Sequence, residues 1–281
     1  LIPKEVLATL IGATSKFIEK MADLEVRIVL AGGETADVGD IVRTADVGFT
    51  AFGRLKRKDL VINKIRSGQV IIGFESYGQS TYETEYNSGI GSNGLTMARH
   101  ELLHHDYADK YEETYAPQID RKYVYTGKFK VDDNVIIGGR NHPIGKLALS
   151  PTRTYLPVLN EILKNHKESI HGIIHATGGG HTKVLKYCDA PVHILKDNLF
   201  EVPPIFDIIQ KSTDTSLAEM YKVFNMGTRL ELYIDAEAAA SIIEISAIFN
   251  IRAQVIGRVE GSKDNSMSVT VITNTETLVY Q

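Results

Sequence analysis

Three glycine-rich segments punctuate this chain where apolar runs meet predicted loops or helices, and they limit its fold more than any other feature. Ala31-Gly-Gly-Glu-Thr-Ala36 follows the apolar residues 26–30. Gly89-Ile-Gly-Ser-Asn-Gly94 precedes a helical pattern at 95–103, and Thr177-Gly-Gly-Gly180 follows a strand-like run at 171–176. Glycine tolerates positive φ and lets the backbone approach a ligand closely. The first N–H groups of a helix lack internal partners and attract anions. For any one loop, a simple turn and a phosphate site are equally good readings. Together the three point to an enzyme that handles phosphorylated ligands.

Between these loops, helix and strand patterns alternate. Leu7, Leu10, Ile11, Ile18 and Met21 recur at near-helical spacing and predict an amphipathic helix over 4–22. Residues 26–30 read as a short buried strand and 45–55 as a second, followed by a solvated basic connector at 54–58. Residues 69–74 predict a strand and 94–105 a helix. The stretch 106–147, rich in Tyr, Asp, Lys and Gly without a clear period, reads as an irregular insertion containing a short hairpin. Order then returns. A helix over 151–164 has Pro151 near its start, where a missing N–H costs least. Strands at 170–176, 192–195 and 229–234 alternate with helices at 181–187, 204–210, 216–223 and 236–249, and strands at 252–259 and 268–272 close the chain. Ser216 with Glu219 three places on forms a capping box. This interleaving gives an α/β or α+β fold.

At 281 residues and 43% hydrophobic content, the chain can bury one large core or two modest ones. A net charge of −4 exerts no general pull on nucleic acid or anionic lipid, so neither is an expected partner. The single cysteine, Cys188, excludes an internal disulfide and reads as a small, half-buried apolar residue. No apolar run approaches the ~18 residues of a membrane helix, and the first residues lack a secretory pattern. A cytoplasmic setting is expected. The chain opens without Met and enters a helical pattern at once, so an upstream segment is expected too.

Several tempting motifs fail on context. Gly89-x-Gly91-x-x-Gly94 has the dinucleotide fingerprint, but a polar, irregular approach at 82–88 replaces the strand that fingerprint requires. His100-Glu101-Leu-Leu-His104 matches a zinc motif, but Tyr107 and Lys110 stand where its extended form needs Gly and His. Gly139-Arg-Asn-His-Pro-Ile-Gly145-Lys146 is one residue too long for a P-loop and carries Pro143 within it, leaving Lys146 as a surface lysine.

Five segments occur in an order that resembles the phosphoribosylformylglycinamidine cyclo-ligase family. They are Gly32-Gly-Glu-Thr-Ala36; Gly89-Ile-Gly-Ser-Asn-Gly-Leu95 running into Met97-Ala-Arg99; Leu149-Ser-Pro-Thr-Arg-Thr-Tyr155; His175-Ala-Thr-Gly-Gly-Gly180; and Glu219-Met-Tyr-Lys-Val-Phe-Asn-Met-Gly227. The last is the most specific. The resemblance implies ATP-dependent closure of the imidazole ring of formylglycinamidine ribonucleotide to aminoimidazole ribonucleotide, with release of ADP and phosphate through an iminophosphate. It further implies ATP and Mg²⁺, a homodimer and a cleft between two α/β domains. Residues 1–66 would be the C-terminal part of an N-terminal ATP-binding and dimerisation domain. Residues 67–281 would be a complete C-terminal domain with a mixed sheet flanked by helices and an insertion at about 106–147.

Carried over by that resemblance, Glu34 is a catalytic and metal-binding candidate, and Gly32, Gly33 and Thr35 belong to the nucleotide side. Ser92, Asn93 and Gly94 bind nucleotide or phosphate, as do Thr177, Gly178, Gly179 and Gly180, while Asn225 and Gly227 support the cleft. Two departures stand out: Gly91 replaces a histidine found in many members, and Asp37-Val-Gly39 replaces Glu-Met-Pro. His175 or His181 could take over the lost imidazole, His175 being the catalytic candidate. The family's N-terminal Asp-Gly-Val-Gly-Thr-Lys segment and its metal-binding aspartates do not occur here, so this length alone is expected to be nearly inactive. Alternatives are a related ATP-using enzyme, such as a formylglycinamidine ribonucleotide synthetase or a selenophosphate or thiamine-phosphate enzyme, and a non-catalytic binding or dimerising module.

Overall fold

A computed structural model describes every residue of the chain except Leu1, Asp37, Ile41, Arg43, Thr44 and Asn93. In chain order the helices are α1 (Lys4–Asp23), α2 (Leu95–Leu102), α3 (Asp106–Lys110), α4 (Ile144–Ala148), α5 (Leu156–His166), α6 (Pro204–Thr213), α7 (Leu217–Val223) and α8 (Ala239–Ile248). The strands are β1 (Val70–Glu75), β2 (Asn134–Ile137), β3 (Arg140–Pro143), β4 (Ile170–His175), β5 (Val192–Lys196), β6 (Thr228–Ile234), β7 (Ala253–Gly261), β8 (Ser268–Ile272) and β9 (Thr277–Tyr280). Two compact units divide them, residues 1–60 with 106–124 and residues 61–105 with 125–281.

In the first unit the predicted amphipathic helix forms as α1, but of its side chains only Met21 is buried, and Ile11 is 60% exposed. The two strands expected at 26–30 and 45–55 do not form. Val29, Phe49 and Phe52 stand 72%, 73% and 88% exposed along these stretches, which have no regular structure. The composition favours strands, but a strand is stable only when a neighbour takes its N–H and C=O groups and its side chains find a covered face. No described strand runs beside either stretch. Residues 106–124 form α3 and two short 3₁₀ turns, with Tyr107 and Tyr111 stacked and Arg121 paired to Asp109.

The second unit is built on a seven-stranded mixed sheet of order β4-β6-β1-β7-β5-β8-β9. All pairings are antiparallel except β5 with β8. Every residue of β6 is buried, as expected for a central strand covered on both faces. α8 packs on β1 and β7 with α5 beside it, while α2, α6, α7 and a 3₁₀ segment, Gly180–Lys186, form a second group. The main core joins Ile71, Ile194, Tyr233 and Ile256 of the sheet to Ile205, Phe206, Ile209, Met220 and Phe224. This is the α/β class read from the sequence, with the mixed sheet flanked by helices.

Four local differences have physical causes. The helix expected from Pro151 starts at Leu156, with Pro157 in its first turn, because residues 150–155, without regular structure, are hydrogen-bonded to segment 75–92. The helix expected at 181–187 is 3₁₀: Gly179 and Gly180, both at positive φ, open it tightly, and Thr182 N donates to Gly179 O at 2.9 Å. The predicted hairpin exists as β2–β3. One strand was missing from the sequence reading, β9, which returns along β8 after a turn closed by Thr273 N to Glu276 O. Ser216 caps α7 as predicted, accepting from Glu219 N.

Candidate ligand-binding site

The second and third glycine segments meet in the second unit around Phe224 and Asn225. Gly94, at φ 74°, caps α2, and a Cβ there would lie 2.4 Å from the Phe224 ring. Gly180, at φ 45°, lies so close to the carbonyls of Tyr221 and Phe224 that a Cβ would come within 2.5 Å of both. Asn225 ties the loops together. Its side-chain amide donates to Gly89 O at 2.8 Å, its carboxamide oxygen accepts from Gly227 N at 3.1 Å, and its carbonyl receives His181 Nε2 at 3.0 Å. Gly227, at φ 104°, passes its own carbonyl to Ser76 N. Glycine is therefore required here by close approach, which is also what a bound phosphate demands of a backbone.

The Leu149–Tyr155 motif supplies the scaffold behind the 89–94 loop. Ser88 N donates to Ser150 Oγ, Ser92 N to Thr152 Oγ1 at 3.2 Å, and Tyr155 Oη to Glu75 O at 2.7 Å. Arg153, buried, grips Glu83 with two nitrogens at 3.0 and 2.7 Å and donates to Glu75 O. Burial pushes the Glu83 carboxyl up, but Arg153, Ser80 N and Asn87 outweigh it and leave the group below its ordinary range.

A chain of buried polar groups continues from Asn225 into the sheet. Lys196 Nζ donates to His181 O at 3.0 Å and to Glu231 Oε1 at 2.5 Å, and Tyr233 Oη donates to Glu231 Oε2 at 2.9 Å. All four side chains are buried. Burial, with Lys196 beside it, holds His181 well below the ordinary histidine range, so the ring is neutral. With Nε2 donating to Asn225 O, the Nδ1 lone pair is left facing Lys196 at 3.5 Å. His181 is thus a packed, hydrogen-bonded support under the 177–180 loop. His175 differs: at the exposed end of β4 beside Tyr155, its ring is pushed down to about 4 by burial first, then by the charges of Arg229 and Lys183. Lys183 Nζ meanwhile donates to Thr177 Oγ1 at 2.6 Å.

The structure thus brings Ser92, Gly94, Thr177, Gly178, Gly179, Gly180, Asn225 and Gly227 into one neighbourhood with His175. Asn93 lies outside the described residues. Gly32, Gly33, Glu34 and Thr35 lie in the first unit, on an exposed stretch without regular structure. Sequence reasoning missed Arg229, Lys196 and Glu231, whose alternation within apolar strands was the available signal: a charged residue on a strand buried on both faces needs a partner or a purpose.

Residues 66–270 match the family described as AIR synthase related protein, C-terminal domain. The chain belongs to this family. Curated relatives named phosphoribosylformylglycinamidine cyclo-ligase include those of Methanocaldococcus jannaschii, 30% identical over 85% of this chain and 58% of that protein, and of Methanococcus vannielii, 33% identical over 84% and 57%. The Thermococcus kodakarensis relative is 30% identical over 78% of this chain and 52% of its own. The chain therefore spans a little over half the length of the curated relatives it matches. Among solved structures, phosphoribosylformylglycinamidine synthase II from Thermotoga maritima superposes with a TM-score of 0.39 at 12% identity, over 80% of this chain and 27% of that one.

The zinc-like motif of this family member is not laid out on one helix. α2 ends at Leu102, so His100 and His104 do not share a helix face, and His100 Nδ1 accepts from Tyr125 N at 3.3 Å. Among the described residues no group of three or more His, Cys, Asp or Glu side chains could hold a metal ion. Glu34, exposed and in the first unit, does not by itself fit a Mg²⁺ site. Lys146 is the surface lysine expected, paired with Glu85 at 2.7 Å. Among the described residues, no helix is long and apolar enough to cross a membrane.

Proposed function

We propose that this chain is part of an ATP-dependent cyclo-ligase that closes the imidazole ring of formylglycinamidine ribonucleotide, giving aminoimidazole ribonucleotide, ADP and phosphate in purine biosynthesis. One observation carries the reading: the 89–94 loop, the 177–180 loop and the Asn225–Gly227 turn, distant in sequence, converge on Phe224 and Asn225 in a family member whose curated relatives bear that name. In this reading the γ-phosphoryl of ATP passes to the formyl oxygen, forming an iminophosphate and ADP. The amine nitrogen then attacks the same carbon, and the C–O bond breaks to release phosphate. Such chemistry relies on orientation and on N–H donors around the phosphoryl oxygens more than on a covalent nucleophile.

The residues of this chain take distinct parts. Ser92 and Gly94, with Thr177 and the three glycines after it, cradle phosphate, and Lys183 adds positive charge beside Thr177. Asn225 and Gly227 hold the loops. His175, neutral at pH 7 because its ring is held down to about 4, accepts the proton that the amine loses on closure. Glu34 acts on the nucleotide side together with segments beyond this length, as do the Mg²⁺ ligands that the described residues do not provide. A homodimer and a cytoplasmic setting complete the proposal.

The intact protein, given ATP, Mg²⁺ and formylglycinamidine ribonucleotide, is expected to form aminoimidazole ribonucleotide. ATP turnover only with a different acceptor would overturn the assignment in favour of another ATP-using relative. The acid limb of its rate profile should fall near pH 4, because protonated His175 cannot act as a base; a limb near the ordinary 6.5 that survives His175→Asn would remove His175 from the reaction. Glu34→Gln should lower turnover far more than melting temperature.

A further inference from the structure

Arg229 is a buried cation with no counter-ion among the described residues. It lies on β6, the strand covered on both faces, and is 1% exposed. Among the described residues no carboxylate stands within ion-pair distance, and its buried Nε has no hydrogen-bond partner. A buried guanidinium left in this state is costly unless the structure uses it. Burial lowers its pKa, with Arg153 adding to the effect, yet a guanidinium remains charged at any physiological pH. The guanidinium's one described hydrogen bond goes to a glycine loop: Nη2 donates to Gly89 O at 2.7 Å, the carbonyl that Asn225 also holds. Two residues on, Gly91 sits at φ 61°, and a Cβ there would lie 2.4 Å from Nη2 and 2.7 Å from Nη1.

We propose that Arg229 is a positioning residue for the 89–94 loop, acting through the Gly89 carbonyl, and that Gly91 is its complement, a glycine because the guanidinium occupies the space its side chain would take. The pair works as a unit. Arg229 clamps the carbonyl at the loop's entrance, and Gly91 lets the next turn close over the flat guanidinium. This extends the site reading above, since it matters to function only if the loop binds ligand; the geometry of the pair stands apart from which reaction follows.

The decisive experiment is a double-mutant cycle in the intact protein, read by amide hydrogen exchange of segment 89–95 beside melting temperature and steady-state kinetics. Arg229→Met should speed exchange in that segment at least about ten-fold with exchange in β9 unchanged, and Arg229→Lys by less than about three-fold. Gly91→Ala should speed it at least about five-fold more beside Arg229 than in the Met background, since the left-handed strain is common to both and only the clash is relieved. Equal effects of Gly91→Ala in both backgrounds would overturn the proposal. So would unchanged loop exchange in Arg229→Met. Should the Met variant fail to fold, the same cycle with Arg229→Lys decides. In kinetics, Arg229→Met should lower kcat/KM for the ribonucleotide and Arg229→Lys should restore most of it; an unchanged kcat/KM in Arg229→Met would refute positioning. If the wild-type protein lacks cyclo-ligase turnover, the proposed reaction fails while the exchange cycle still tests the pair.

Discussion

Two stretches of this chain have nearly the same apolar, β-branched character and opposite fates. Residues 26–30, Val-Arg-Ile-Val-Leu, form no regular structure in the first unit and have no described strand partner, with Val29 72% exposed, whereas Ile-His-Gly-Ile-Ile-His at 170–175 becomes β4 on the edge of a seven-stranded sheet. The difference is the neighbour. β4 meets β6 in antiparallel register from Ile170 to His175, so its backbone groups are satisfied and Ile170 and Ile174 are buried. Strand propensity measures how well a segment fits a pleated, half-covered surface, and it cannot create that surface. The second unit has also built polar chemistry into its interior, with Arg153, Lys196, Glu231 and Arg229 buried and Glu83 half-buried against Arg153, while the charges of α1 and of residues 54–58 stay in water.

The contrast can be broken most directly at the buried pair. Lys196→Met should destabilise the second unit by roughly 3–5 kcal/mol in denaturant unfolding, because it strands Glu231 without a cation, and Glu231→Leu added to it should recover much of the loss. Phe52→Ser, which places a polar group where an 88% exposed ring stands, should change stability by less than about 0.5 kcal/mol. A comparable loss in both would mean that the first unit is as tightly packed as the second.

Glycines sharpen the comparison at the next level. Gly94→Ala should cost roughly 2–3 kcal/mol, combining a left-handed φ with a clash against Phe224, whereas Gly33→Ala meets nothing within 4 Å and should be close to neutral in melting temperature. Ser216→Ala removes the cap on α7 and should cost about 1 kcal/mol.

The smallest effect is a pH dependence. Burial pushes Glu101 up from 4.5 to about 7, and its buried Oε2 has no hydrogen-bond partner. Between those values the folded protein holds a proton that the unfolded chain has released, so this group's contribution to stability is full below pH 4.5 and is lost as pH rises through 7. Glu101→Gln should therefore be the more stable protein at pH 8, by up to about 1 kcal/mol given the partial exposure, and should match wild type near pH 4.5. A variant less stable than wild type at both pH values would show that Glu101 makes a favourable contact as a carboxylate.

Much of the second unit was legible in advance because its signals are local. The Ser216 cap on α7 and the β-branched runs of β1 and β4 each specify their element from a few consecutive residues. The start of α5 was misread because Pro151 can open a helix as well as Pro157 can; what rules it out is the bonding of Arg153 and Tyr155 to Glu75, 78 and 80 positions earlier. β9 was missed because four residues of modest apolar character become a strand only beside β8.

The candidate site divides the same way. Chain chemistry by itself determined where glycine had to sit, that the 89–94 and 177–180 loops follow or precede regular elements, and the family to which the motifs belong, because these depend on residue identity and short spacing. Tertiary structure alone decided that both loops close on Phe224 and Asn225, that His181 is a neutral support while His175 stays at the surface, and that a buried guanidinium from β6 lies against Gly91. Those facts are contacts across 44 to 140 positions of sequence. Their energies come from burial and from hydrogen bonds between distant groups, and no local pattern of residues carries them.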